Sequence, residues 1–170
     1  MDEMIKTNTK TIFSEIKKGD AKYIAELIVH RLIPFCRKLD NRKALQYAFI
    51  EYASHKGEIA ATRQVLMYVA KKSEQKYVAL SDKNVSLFTE AVKMHLGMHY
   101  KTYKITKSVR REVYERYGYE CVICGVSGQN AKLEVDHIIP KEIVGDTLGL
   151  LNLRPLCKDC NQEKGTHCLW

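Results

Sequence analysis

The chain contains two Cys-x-x-Cys pairs whose spacing suits a metal ion. Cys121 and Cys124 form the first pair, and Cys157 and Cys160 form the second. Each short turn can direct two thiolates at one ion, so the four cysteines predict a tetrahedral zinc site. A site with four protein ligands has no open coordination position, and we therefore expect this zinc to be structural.

Three residues near these cysteines have side chains suited to hydrolysis. Asp136 and His137 are adjacent between the two pairs, and Asn161 directly follows the last cysteine. Imidazole takes up a proton near neutral pH, so His137 is a candidate general base. Carboxylate and amide oxygens are ligands for Mg²⁺ or Mn²⁺, so Asp136 and Asn161 predict a metal site. With only two protein ligands, the ion would keep several waters and be completed by phosphate oxygens of the substrate. Neighbours on a strand point to opposite faces, and we expect the strand to twist or break at this pair.

The cysteines have a second interpretation, because six of them could form three disulfides. The paired spacing, and a beginning of the sequence without an apolar signal core, instead favour reduced thiols and a cytoplasmic location. His167 and Cys168 are spare candidate ligands that we expect not to bind the zinc. No stretch approaches the roughly 18 apolar residues of a transmembrane helix, so we expect no contact with a membrane.

The formal net charge of +8 and the pI of about 9.1 favour a polyanionic partner such as nucleic acid. The excess of positive charge lies in residues 1–104, which contain 19 Lys and Arg against 11 Asp and Glu. Residues 105–170 contain 9 of each kind. The N-terminal half is therefore expected to hold the nucleic acid, and a generally basic, solvated surface is the alternative.

The elements that must position these residues follow from hydrophobic spacing. Residues 1–104 repeat apolar side chains at helical intervals, which predicts an α-helical domain. Residues 105–170 predict a second, small domain with a short helix from Thr106 or Ser108 to Tyr117, a strand over Leu133–Ile139 and a last helix starting at Asn161. The helices predicted in the first domain are Asp2–Lys18, Asp20 to Pro34, Asp40 to Gly57, Glu58–Lys72, and Ser81 or Asp82 to Gly97.

The motifs CVICG, LEVDHIIP and NLRPLCKDCNQEKG resemble the HNH nucleases over residues 108–165. The resemblance is to the subgroup in which four cysteines bind a structural zinc. It implies a mainly α protein, with a helical N-terminal domain followed by a small zinc-stapled ββα-metal module. In that module His137 would be the general base, Asp136 and Asn161 would hold the catalytic metal, and Asn152 would brace the loop between the strands. Asn161 stands where the last motif histidine is expected, which makes this an H-N-N variant.

Together these features predict a metal-dependent endonuclease that hydrolyses double-stranded DNA with structural Zn²⁺ and catalytic Mg²⁺ or Mn²⁺. Arg154 and Lys164 are the nearest candidate phosphate ligands, although each is equally well explained as a solvated surface charge. Two other interpretations stay open: a catalytically silent zinc module that binds nucleic acid or protein, and an RNA-directed nuclease acting as a toxin or defence effector. The helical domain is also a candidate surface for a homodimer or a partner protein.

Overall fold

A computed structural model describes residues 11–72 and 76–165. The N-terminal part is helical, and the C-terminal part contains a two-stranded antiparallel sheet with short helices around it. The helices are α1 Ile12–Glu15, α2 Lys18–Leu27, α3 Ile33–Cys36, α4 Leu39–Lys56, α5 Glu58–Lys72, α6 Asp82–His95, α7 Lys107–Arg116, α8 Lys141–Val144 and α9 Lys158–Lys164, with strands β1 Leu133–His137 and β2 Leu153–Cys157. The mainly α class with a C-terminal ββα region is confirmed.

The first predicted helix is interrupted within its described part. Helix α1 begins after Thr11, whose backbone N–H donates to Ser14 Oγ at 2.9 Å. The helix ends at Glu15, and the next residue, Ile16, has extended dihedral angles (φ −136°, ψ 161°) and is buried. The extended residue redirects the chain, so helix α2 starts at Lys18 rather than at Asp20. The portion predicted for residues 2–10 lies outside the described residues.

The sequence predicts that the second helix ends at Pro34, but the helical region continues past this residue. A π-helix at Ile28–Leu32 connects α2 to α3, and Pro34 lies in the first turn of α3. First-turn amides have no partner within their own helix, so a proline is tolerated there. The wider π turn therefore lets the chain continue along a helical path to Cys36.

The other helix limits lie close to those predicted. Helix α4 starts at Leu39, so Asp40 lies in its first turn, and Gly57 ends it with φ 86°. Helices α6 and α7 have side-chain N-caps, in which Ser81 Oγ and Thr106 Oγ1 each accept a backbone N–H at 3.2 Å. Such caps satisfy amides that a helix leaves unpaired at its start.

Strands β1 and β2 pair in one register from Leu133 opposite Cys157 to His137 opposite Leu153. Asp136 and His137 thus lie within a regular strand, which ends at His137 instead of continuing to Ile139. Helix α9 starts at Lys158, three residues before the predicted start, because Cys157 Sγ accepts the Cys160 N–H at 3.5 Å and caps it.

One hydrophobic core extends from the N-terminal helices into the C-terminal part. Ile138, Ile139 and Val144 are buried in the same cluster as Leu66 and Phe88 of the helical half. Close contact occurs at Gly145, where an added Cβ would lie 2.8 Å from Met94 Sδ of α6. The predicted boundary between residues 104 and 105 stays a prediction, but apolar packing crosses it. None of the helices within the described part is long and apolar enough to cross a membrane.

This shared core predicts that the two halves unfold together. Leu66→Ala and Ile139→Ala should each lower the free energy of unfolding by about 2–5 kcal/mol, because each leaves a cavity in the same core. Both should lower the midpoint of a single thermal transition, measured by calorimetry of the zinc-loaded full chain. Tyr47→Ala, at an exposed position on α4, is the control and should change stability by less than about 0.5 kcal/mol. Two separate transitions, with each variant affecting only one, would show independent domains.

Candidate functional site

The sulfur atoms of Cys121, Cys124, Cys157 and Cys160 all lie within 4.8 Å of one another. The Cys124 and Cys157 sulfurs are 3.8 Å apart, which is too far for a disulfide. Tetrahedral zinc with bonds of about 2.3 Å places its ligand sulfurs about 3.8 Å apart. The four thiols therefore fit one structural zinc ion in both type and spacing.

Backbone turns direct these thiols toward one point. Gly125 follows the first pair with φ 75°, and its N–H donates to the Cys121 carbonyl at 2.8 Å. A positive φ of this kind is easily reached by glycine alone. The second pair is held by the end of β2 and the first turn of α9.

The same turns stabilise a thiolate at Cys121. Burial alone would raise the pKa of this thiol, but hydrogen bonds from the backbone amides of Cys124, Cys157 and Ile123 lower the pKa to about 6. A second thiolate close by would be repelled by the first. The pKa of Cys160 is accordingly raised, first by its hydrogen bond to Cys157. A divalent cation at this point would remove the repulsion and favour ionisation of the other thiols as well.

His137 forms a dyad with Asp146, at the end of β1. The distance from His137 Nε2 to Asp146 Oδ1 is 2.9 Å, and both side chains are about four-fifths buried. An ionised carboxylate only accepts hydrogen bonds, so the proton of the neutral ring is on Nε2 and Nδ1 keeps its lone pair. His137 can therefore accept a proton at Nδ1 while Asp146 orients the ring and stabilises the resulting charge.

Contacts from both halves of the chain hold Asp146 in place. The Tyr103 N–H donates to the Asp146 carbonyl at 3.0 Å, and Lys141 Nζ lies 3.1 Å from Asp146 Oδ2. Partial burial alone would raise the pKa of the Asp146 carboxyl. The hydrogen bonds from His137 and Lys141 outweigh that effect and hold the pKa below its usual range. Asp146 is therefore ionised at neutral pH, as the dyad requires.

Asp136 forms a buried ion cluster with two cations. Lys164 Nζ donates to Asp136 Oδ1 at 2.7 Å, and Arg154 Nε donates to Oδ2 at 3.0 Å. Lys164 also donates to the His137 carbonyl oxygen at 3.1 Å, and its side chain is 3% exposed. The cluster joins β1, β2 and α9 and fixes the backbone beside the dyad.

These contacts revise the sequence interpretation of Arg154 and Lys164. Both had been considered as phosphate ligands or solvated charges, and the structure instead places both on the Asp136 carboxylate. The side-chain exposures of 13% and 3% leave little surface for a phosphate. Both cations pair with the single Asp136 carboxylate, and Arg154 Nη2 is buried without a hydrogen-bond partner in the described structure.

Asn152 is buried and bound to one backbone unit. Its Oδ1 accepts the Ile139 N–H and its Nδ2 donates to the Ile139 carbonyl, both at 2.8 Å. The Ile138 N–H donates to the Asn152 carbonyl at 2.8 Å, which extends the strand pairing by one bond. Asn152 thus ties the start of β2 to the residues that directly follow His137.

Asn161 lies against Glu134, a residue that the sequence analysis had not selected. Asn161 Nδ2 donates to Glu134 Oε2 at 2.7 Å. Glu134 and Asp136 are two residues apart on β1 and therefore face the same side. Glu134, Asp136 and Asn161 supply oxygen donors of the type that Mg²⁺ or Mn²⁺ prefers. The donor types fit such an ion, which would compete at Asp136 with Lys164 and Arg154.

His137 lies between two cavities. The smaller cavity, which we call the oxygen-donor cavity, has a volume of about 150 Å³ and is lined by Asp136, His137, Asn161 and Lys164, among others. The larger, which we call the basic cavity, has a volume of about 560 Å³ and includes Lys104, Arg110 and Lys141. His137 thus lines both the cation-rich cavity and the cavity that contains the candidate metal ligands.

The HNH endonuclease family model matches residues 121–167. This segment is similar to the HNH endonucleases, and we refer to it as the HNH module. The match contains the four cysteines, the His137–Asp146 dyad, Asn152 and Asn161, and it implies a nuclease-type or nucleic-acid-binding role. No curated protein and no solved structure matches the chain.

The structure brings together most of the residues selected from the sequence, and it adds Asp146 and Glu134. The sequence offered only a weak signal for Asp146, because Glu142 is an equally plausible acid in the same loop. Glu134 could have been found from strand alternation, since it shares a face with Asp136. His167 and Cys168 lie outside the described residues.

The zinc assignment predicts the metal content of two cysteine variants. The wild-type chain should contain about one zinc per molecule, and Cys157→Ser should lose most of it and destabilise the HNH module. Cys36→Ala is the matched control, because Cys36 is buried in the helical core away from the cluster. Zinc is measured by elemental analysis after dialysis. Equal zinc loss in both variants, or a folded wild-type chain without zinc, would contradict the assignment.

The ion cluster predicts that Asp136 contributes strongly to stability. Asp136→Asn leaves Arg154 and Lys164 without an anionic partner, so it should cost about 3–5 kcal/mol in the free energy of unfolding. Asn161→Ala removes one hydrogen bond and should cost about 0.5–1.5 kcal/mol. Urea denaturation of both zinc-loaded variants measures the difference. Equal costs would show that the cluster contributes no net stability.

Proposed function

We propose that the protein is an endonuclease that hydrolyses phosphodiester bonds of double-stranded DNA, with His137 as the general base. The observation that carries this proposal is the His137–Asp146 dyad between the oxygen-donor cavity and the basic cavity. Hydrolysis requires a group that removes a proton from the attacking water and groups that bind the phosphate. Both kinds of group are adjacent here, which favours catalysis over a purely binding module.

In the proposed mechanism, His137 Nδ1 accepts the proton of the attacking water. Asp146 holds the ring through Nε2 and stabilises the imidazolium that forms. Asn152 and Lys164 keep the backbone around His137 fixed through their bonds to Ile139 and to the His137 carbonyl. The proton acceptor is therefore held in one orientation before the substrate arrives, and no reorganisation is needed during the reaction.

A divalent cation, Mg²⁺ or Mn²⁺, is part of the proposal. Asp136 and Asn161 would hold it, with Glu134 as a further oxygen donor next to Asn161. When bound, the ion would stabilise negative charge on the phosphate and on the leaving 3′ oxygen, so that the products are 5′-phosphate and 3′-hydroxyl ends. A reducing compartment such as the cytoplasm is also proposed, because the zinc thiolates must stay unoxidised.

The proposal predicts that His137→Ala lowers the cleavage rate by about 10²- to 10⁴-fold, the usual contribution of a general base. Cleavage is measured on supercoiled plasmid DNA with Mg²⁺ or Mn²⁺, and on structured RNA in parallel. His55→Ala, at an exposed position on α4, is the matched control and should cleave at the wild-type rate. Both variants should stay folded and keep the zinc content of wild type.

Near wild-type cleavage by folded His137→Ala would overturn the role of this residue. Cleavage of RNA without cleavage of DNA would show that the substrate is RNA and not DNA. The metal ligands are tested separately by Mn²⁺ titration followed by electron paramagnetic resonance. Asn161→Ala should bind Mn²⁺ more weakly than wild type while keeping its zinc, and unchanged Mn²⁺ affinity would remove Asn161 from the metal site.

A further inference from the structure

The basic cavity has walls from two parts of the chain. One wall comes from the segment that precedes the HNH match, and the other comes from β1 and the loop after it. The volume of about 560 Å³ lies within the range of ligand-binding clefts. The lining residues used below are Tyr103, Lys104, Arg110, His137, Lys141 and Asp146.

The charge of this cavity is positive. Lys104, Arg110 and Lys141 carry three positive charges against the single carboxylate of Asp146. Lys141 and His137 already share that carboxylate. Within residues 11–72 and 76–165, neither Lys104 nor Arg110 is in a salt bridge, and both are exposed. Two cations therefore line the space next to His137 without an anionic partner in the described structure.

The wall that carries these cations is fixed to the HNH module. The ring of Tyr103 packs on Gly149, where an added Cβ would lie 3.0 Å from Tyr103 Cγ. Thr106 caps helix α7, so Arg110 lies one turn into a helix with a defined start. At the far end of the helix, Tyr114 Oη donates to the Leu133 carbonyl at 3.0 Å. Arg110 is thus placed by contacts on both sides of its own helical turn.

We propose that Lys104 and Arg110 bind backbone phosphates of the nucleic acid and place the strand against His137. This inference rests on the proposed nuclease function and assigns substrate binding to residues outside the matched segment 121–167. Lys104 and Arg110 take the phosphate-binding role that the sequence suggested for Arg154 and Lys164, which both pair with Asp136 instead. Guanidinium and ammonium groups next to a general base supply the charge that a phosphodiester requires.

The test is duplex binding by the full-length, zinc-loaded chain without added divalent metal, so that no cleavage occurs. Fluorescence anisotropy of a labelled 20-base-pair duplex is measured at three salt concentrations. Lys104→Gln and Arg110→Gln should each weaken binding by about 10-fold. Each should also lower the slope of log affinity against log salt by about 0.9, the value expected for one lost phosphate contact.

Arg111→Gln is the matched control, because Arg111 is an exposed neighbour on the same helix, has the same charge and does not line the cavity. It should keep the wild-type salt slope. Equal losses for Arg110→Gln and Arg111→Gln, or no loss for Lys104→Gln and Arg110→Gln, would overturn the inference. If the variants bind as expected but the wild-type chain cleaves no nucleic acid, phosphate binding stands and the proposed nuclease function fails. If the wild-type chain cleaves nucleic acid but both variants keep the wild-type salt slope, the nuclease function stands and the phosphate-binding role of Lys104 and Arg110 fails.

Discussion

The antiparallel pairing of β1 with β2 is the constraint on which the site depends. It places Leu133 opposite Cys157 at the zinc end and His137 opposite Leu153 at the other end. The second cysteine pair is therefore held in fixed register with the residues proposed for catalysis. The apolar cluster around the zinc ligands is small, with Cys121, Leu156 and Cys157 as its buried members. A zinc ion held by the four cysteines would compensate for so small a core, because its binding free energy would also stabilise the fold.

Strand alternation explains why the adjacent residues Asp136 and His137 have different environments. Asp136 faces α9 and pairs with Lys164, whereas His137 faces the loop and pairs with Asp146. The sequence predicts that a twist or a break in the strand relieves this conflict. The structure pairs both residues with strand β2 in one register and gives each side chain a charged partner of its own. A divalent ion at Asp136 would have to displace Lys164 or Arg154 from a carboxylate that already pairs with both, so its affinity depends on how easily these two cations move away.

Local signals in the sequence were sufficient for several features. Cys-x-x-Cys spacing identified the four clustered thiols, and hydrophobic periodicity with caps such as Ser81 and Thr106 located most helices. Partners distant in sequence were harder to predict. The π-helix before Pro34, the dyad partner Asp146 and the ion pairs of Asp136 are set by tertiary packing, which no short spacing encodes. Asn152 came from family resemblance, and its two bonds to Ile139 show what that position does in this fold.

The helical half has a role that net charge alone did not indicate. Its excess of basic residues suggested nucleic-acid binding, yet its clearest link to the site is mechanical support of the loop that carries Asp146. His95 Nε2 donates to the Ile143 carbonyl at 2.7 Å, and Met94 packs against Gly145. Burial lowers the pKa of His95, which keeps its ring neutral at this contact. Since the dyad requires a fixed carboxylate, packing between α6 and this loop connects the stability of the N-terminal helices to the orientation of His137.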